Sequence, residues 1–153
     1  SSAPWPSSGG SIRTSGTDRG IGHVRICLDT SAYSAFKRGH PEAIDALRRA
    51  RGIVLPPIVL GELLAGFRIG SRDRANRREL EAFLSSPRVR VSPIDAETAQ
   101  RYAEIFSYLR ERGTPIPTND IWIGACAMQW GLRLLTTDSH FERLPKVSVL
   151  PLD

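Results

Sequence analysis

Val24-Arg25-Ile26-Cys27-Leu28-Asp29-Thr30-Ser31 is the stretch on which the architecture of this chain turns. Val24, Ile26, Cys27 and Leu28 make a short apolar run rich in β-branched residues, without alternation, as in a strand covered on both faces. The Asp-Thr-Ser that follows carries side-chain oxygens suited to starting a helix. A buried strand that feeds a helix directly is the unit of a parallel sheet.

The same unit recurs outward along the chain. Helices are expected over residues 31–37 and 41–51, the second with Ala43, Ile44, Leu47 and Ala50 on one face and Pro41 in its first turn. Ile53, Val54 and Leu55 form a second strand, and Pro56-Pro57 opens a helix carrying Leu60, Leu63, Leu64 and Phe67, with Glu62 one turn inside. An arginine-rich helix over 72–84 precedes a third strand at 89–91. Ala99, Tyr102, Ala103, Phe106 and Leu109 then mark a long amphipathic helix that stops before Gly113. Thr118-Asn119-Asp120 is expected to cap a nearly all-apolar helix over 121–130. Strands at 132–135 and 147–150 close the domain, the former ending in Thr136-Thr137-Asp138. The fold class is therefore α/β, a three-layer domain with a central parallel sheet and helices on both faces.

Composition excludes other classes. The 153 residues are 41% hydrophobic and 24% charged, a globular balance at a length that favours one domain. The longest nearly apolar stretch, 53–60, is interrupted by Pro56 and Pro57 and is far short of the ~20 residues of a membrane span. Residues 1–22 are rich in Ser, Gly and Pro and lack an apolar signal core, so they read as a flexible tail or an artificial remnant before a domain over 23–153. A cytoplasmic location follows as the expectation. Cys27 and Cys126 sit in apolar segments and read as core fillers in a reducing compartment.

In a parallel sheet the ligand crevice lies at the carboxyl ends of the strands. Asp29 and Asp138 fall there, each just after an apolar strand. Glu62 and Asp120 lie in helices of mostly apolar neighbours, where an unpaired carboxylate costs several kcal/mol. Asp29 and Asp120 could be plain helix caps and Asp138 a turn residue, whereas Glu62 in Ile58-Val59-Leu60-Gly61-Glu62-Leu63-Leu64, with apolar neighbours on both sides, is harder to account for as a structural residue. Carboxylates converging on one rim repel, and a divalent cation is the natural compensation.

The order and setting of these acids resemble the PIN-domain ribonucleases, and within them the VapC toxins of VapBC toxin–antitoxin pairs. Four blocks carry the resemblance: Leu28-Asp29-Thr30-Ser31, Gly61-Glu62-Leu63-Leu64-Ala65-Gly66, Thr118-Asn119-Asp120-Ile121-Trp122-Ile123 and Leu134-Leu135-Thr136-Thr137-Asp138-Ser139-His140-Phe141. It implies a catalytic and metal-binding set of Asp29, Glu62, Asp120 and Asp138, holding Mg²⁺ or Mn²⁺, with Thr136, Ser31 and Asn119 supporting. Metal held there would activate water for in-line attack on an RNA phosphodiester. The resemblance also implies a homodimer neutralised by a cognate VapB-type antitoxin. Tyr33, Phe36 and the helix from Leu60 to Phe67 supply apolar surface for such contacts. His140 reads as a packing or capping residue in preference to a proton-transfer group.

Charge agrees with a polyanionic substrate. Lys and Arg total 21 against 16 acids, a formal net charge of +5, and all the basic residues except Lys37 and Lys146 are Arg. Arg68, Arg72, Arg74, Arg77 and Arg78 form the densest group, a contact surface for RNA or antitoxin or else a solvated helix face. A phosphorelay receiver would need a lysine just after a late strand, whereas Lys146 precedes one. A PIN nuclease of RNA processing or of structured DNA, and a noncatalytic RNA-binding or partner-binding module, complete the alternatives.

Overall fold

The computed structural model describes residues 24–152, and the expected tail over 1–22 lies outside them. Five strands, β1 (Arg25–Leu28), β2 (Gly52–Leu55), β3 (Val89–Val91), β4 (Arg133–Thr136) and β5 (Ser148–Pro151), form one sheet in the order β3-β2-β1-β4-β5. Every pairing is parallel. The strands read as continuous apolar runs because both faces are covered: all four residues of β2 are buried, as are the last three of β1 and of β4.

Six α-helices are described: α1 (Thr30–Lys37), α2 (Pro41–Arg49), α3 (Pro57–Ile69), α4 (Asp73–Leu84), α5 (Ala96–Arg112) and α6 (Thr118–Trp130). From β1 the chain steps outward to β2 and β3, then returns past β1 to β4. Right-handed crossovers in opposite directions put α1 to α4 on one face of the sheet and α5 and α6 on the other. The direction reverses between β1 and β4, so their carboxyl ends bound a crevice.

Local chemistry sets the ends of these elements. Pro57 opens α3 after an extended Pro56. Asp95 and Thr98 close a capping box at the start of α5, and Gly113 in the left-handed region, at φ 66°, ends it. Gln129 of α6 joins that box, accepting from Thr98 Oγ1 and donating to Asp95 Oδ1 at 3.0 Å, so the two helices of that layer are bolted together. Cys27 and Cys126 are buried and unpaired, and burial pushes both thiols up, Cys126 to about 11. Among the described residues no helix is long and apolar enough to cross a membrane.

One arginine is structural. Arg88 Nη1 donates to the carbonyls of Leu47 at 2.9 Å, Arg48 at 3.4 Å and Ala50 at 2.6 Å, closing the carboxyl end of α2. A charged donor there satisfies acceptors that the helix leaves open. Arg88→Ala should lower the unfolding free energy by roughly 1–3 kcal/mol in urea titrations, and Arg88→Lys should recover only part of it because a more strongly hydrated ammonium on a flexible stem replaces the Nη1 that reaches the three carbonyls.

Candidate active site

Asp29 follows β1 at the reversal point and is 4% exposed. Its carboxylate accepts from three donor groups. Oδ1 accepts from the Ala32 amide at 2.8 Å, which caps α1, and from Ser31 Oγ at 2.8 Å, while Oδ2 accepts from Thr136 Oγ1 at 2.5 Å. Asp29 is thus the cap of α1 and is tied at the same time to the end of β4. Burial raises its pKa, against the pull of the Thr136, Ala32 and Ser31 bonds, and the Asp120 charge raises it further.

Thr136 ends β4, beside β1, and is itself 1% exposed. Its hydroxyl spends its proton on Asp29 and accepts from the Asp138 amide at 2.9 Å. Ser31 Oγ in turn accepts from the Thr137 amide at 3.1 Å. Two hydroxyls therefore stitch the ends of β1 and β4 together. Asp138 heads a short 3-10 turn, Ser139–Arg143, accepting from the His140 amide at 2.9 Å.

Glu62 projects from α3 and accepts from Thr30 Oγ1 at 2.7 Å. Its run of apolar neighbours is only partly interior, since within α3 just Val59 and Leu63 are buried. Asp120 is not the cap expected of it. Extended Pro117 precedes α6 without a side-chain cap, which puts Thr118, Asn119 and Asp120 inside the first turn and leaves the Asp120 carboxylate for the crevice. Burial raises its pKa, the His140 bond opposes this, and the charges of Asp138 and Glu62 raise it further.

His140, expected to pack or cap, stands inside the acidic group: Nδ1 lies 3.2 Å from Asp138 Oδ1 and 3.5 Å from Asp120 Oδ2. Asp120, Asp138 and His140 each offer a ligand atom within 4.8 Å of the others. The Asp-x-His spacing was the sequence signal for it. Asn119 is exposed and makes no hydrogen bond to the four acids among the described residues. The donor chemistry, carboxylates partly withdrawn from water with one imidazole, fits a divalent cation.

Around the crevice the surface differs in part from expectation. Tyr33 is 3% exposed and packs edge-on against Phe83, with Phe36 alongside, so it belongs to the core. Leu60, Leu64 and Phe67 of α3 remain half-buried and Ile69 is 88% exposed. Of the arginines, Arg68, Arg72, Arg74 and Arg78 are exposed, whereas Arg77 Nε is held by Asp73 at 3.0 Å.

A family model described as "PIN domain" matches residues 26–147. Ribonuclease VapC4 of Mycobacterium tuberculosis is 32% identical over 130 residues, covering 84% of this chain and 97% of that protein. The DNA-bound VapBC structure from Salmonella typhimurium aligns with a TM-score of 0.74 and 26% identity, over 84% of this chain and 98% of that one. VapBC2 from Rickettsia felis, bound to a DNA fragment from its promoter, superposes with a TM-score of 0.76 at 24% identity, over 85% of this chain and 100% of that one, a likeness of fold.

Proposed function

Because the chain belongs to the PIN-domain family, we propose that it is a metal-dependent endoribonuclease, the toxin of a type II toxin–antitoxin module, with its nuclease unit over residues 23–153. The observation that carries this reading is the close group of Asp120, Asp138 and His140, with Glu62 and Asp138 near enough for their charges to raise the Asp120 pKa and Asp120 near enough to raise that of Asp29, although Asp29 and Glu62 stand outside the close group itself. Likeness to a curated ribonuclease over nearly its whole length supports the activity. Likeness to a VapBC complex supports a VapB-type antitoxin as partner.

Asp29, Glu62, Asp120 and Asp138 would hold Mg²⁺ or Mn²⁺. When bound, the ion supplies Lewis-acid stabilisation of charge developing on the phosphodiester. The protein supplies position. Thr136 and Ser31 fix the Asp29 oxygens, Thr30 fixes Glu62, and the partly open Asp138, its side chain 35% exposed, leaves an approach for RNA. The test is cleavage of RNA by the purified chain in Mg²⁺ or Mn²⁺, abolished by EDTA. RNA left intact in both ions would overturn the activity.

Two further outcomes follow. The half-buried apolar face of α3 leads to an expected homodimer, and light scattering at micromolar concentration that gives a monomer would count against it. Exposed Arg74 and Arg78 are proposed RNA contacts in the cytoplasm where such a toxin would act. Replacing both with Gln should flatten the log-log salt dependence of single-stranded RNA affinity, measured in Ca²⁺, by about 1.4, or about 0.7 for each lost phosphate contact. An unchanged slope would assign the helix to solvent or antitoxin and move the footprint towards Arg38, Arg48, Arg49 and Arg51.

A further inference from the structure

We propose that His140 is a metal ligand through Nδ1, and that this single imidazole among carboxylates makes the site prefer Mn²⁺ to Mg²⁺; the inference rests on the metal-dependent reading above. Ligands bonded at about 2.1 Å to a six-coordinate ion sit about 3.0 Å apart along an octahedral edge. Nδ1 stands 3.2 Å from Asp138 Oδ1 and 3.5 Å from Asp120 Oδ2, close to that spacing. Asp120, Asp138 and His140 offer their ligand atoms to one small space that a single ion fits.

The ring is held in place for this. The His140 amide donates to Asp138 Oδ1 at 2.9 Å, tying the root of the ring to one partner carboxylate. Phe141, the next residue, is 1% exposed and anchors the 3-10 turn in the core. Among the described residues the polar atoms facing Nδ1 are those of the two carboxylates. Asp120 arrives from α6 and Asp138 from beyond β4, so the ring closes a gap between two elements.

Imidazole and carboxylate do not rank ions alike. Mg²⁺ favours oxygen and retains its waters, whereas nitrogen strengthens binding of first-row transition ions. A ring that only clamps the two carboxylates by hydrogen bonds would affect both ions equally. A ring that binds the ion would affect Mn²⁺ far more than Mg²⁺.

The experiment uses the full chain without RNA. Mn²⁺ binding is counted from the free-ion EPR signal, and Mg²⁺ binding from its competition with Mn²⁺. His140→Ala should weaken Mn²⁺ binding by about tenfold or more, with Mg²⁺ binding changed by less than about twofold on the oxygen preference. The second measurement needs no variant in the first instance: pulsed EPR on ¹⁵N-histidine-labelled protein loaded with Mn²⁺ should show the coupling of a directly bound nitrogen. His23 and His40 are the other histidines, and loss of the coupling in His140→Ala assigns it. Equal weakening for both ions, unchanged or tighter Mn²⁺ binding, absence of the nitrogen coupling, or no Mn²⁺ bound at millimolar concentration would each overturn the proposal. Intact nitrogen coupling in a chain that leaves RNA uncut would instead fail the ribonuclease reading and leave the ligand assignment standing.

Discussion

Asp120→Asn should lower divalent-stimulated RNA cleavage by at least about a hundredfold while the protein stays folded. The side chain makes no capping hydrogen bond to its own helix, because Pro117 precedes α6 and the carboxylate faces His140. Burial and the charges of Asp138 and Glu62 already disfavour its charged form, so the amide should melt no lower than wild type in the absence of metal. Asp29→Asn should lose cleavage equally and keep α1 capped, since Asn accepts from the Ala32 amide as well as Asp does. Asp29→Ala gives up that cap as well and should melt lower, by about 1 kcal/mol of stability. Cleavage assays beside thermal melts check all three, and wild-type rates from Asp120→Asn would sink the assignment.

Thr136→Val should cost both stability and activity. It keeps the shape of a residue that is 1% exposed but removes the donor to Asp29 Oδ2 and the acceptor of the Asp138 amide. A lost bond to a charged group and an orphaned amide together amount to about 3 kcal/mol. The loss has a pH signature. The folded pKa of Asp29 is raised, so the stability linked to its protonated form is complete below its ordinary value and is lost as pH rises through the folded value. Thr136 favours the charged form, so removing it raises that pKa further. The gap between variant and wild type should therefore stay constant at low pH and widen as pH rises through the wild-type folded value towards the variant's higher one. Urea titrations at several pH values measure it, and Thr136→Ser should restore most of the difference. A gap independent of pH would mean that Thr136 supports the fold and not the charge on Asp29.

The positions of the strands were legible because burial on both faces writes itself locally. Ile26 to Leu28, Ile53 to Leu55 and Leu134 to Leu135 need nothing distant to read as interior strands, and acids directly after two of these runs must fall on the carboxyl rim of a parallel sheet. Helix ends were less legible. Thr118-Asn119-Asp120 has the composition of a cap, yet Pro117 starts the helix earlier, and propensity alone does not choose between the two registers. Tyr33 and Phe36 looked like surplus apolar surface because Phe83, which they pack against, is far along the chain.

The sequence by itself determined the layers and the rim and singled out the four carboxylates proposed for the site, since each depends on runs of a few residues and on where a strand stops. The tertiary structure alone decided how those carboxylates are held. Thr30 meets Glu62 from 32 residues away, Thr136 meets Asp29 from 107, and His140 comes between Asp120 and Asp138 only because β4 pairs beside β1 and α6 returns to the same rim. Such bonds depend on crossovers whose lengths and angles the whole core sets, and no local pattern of residues encodes them.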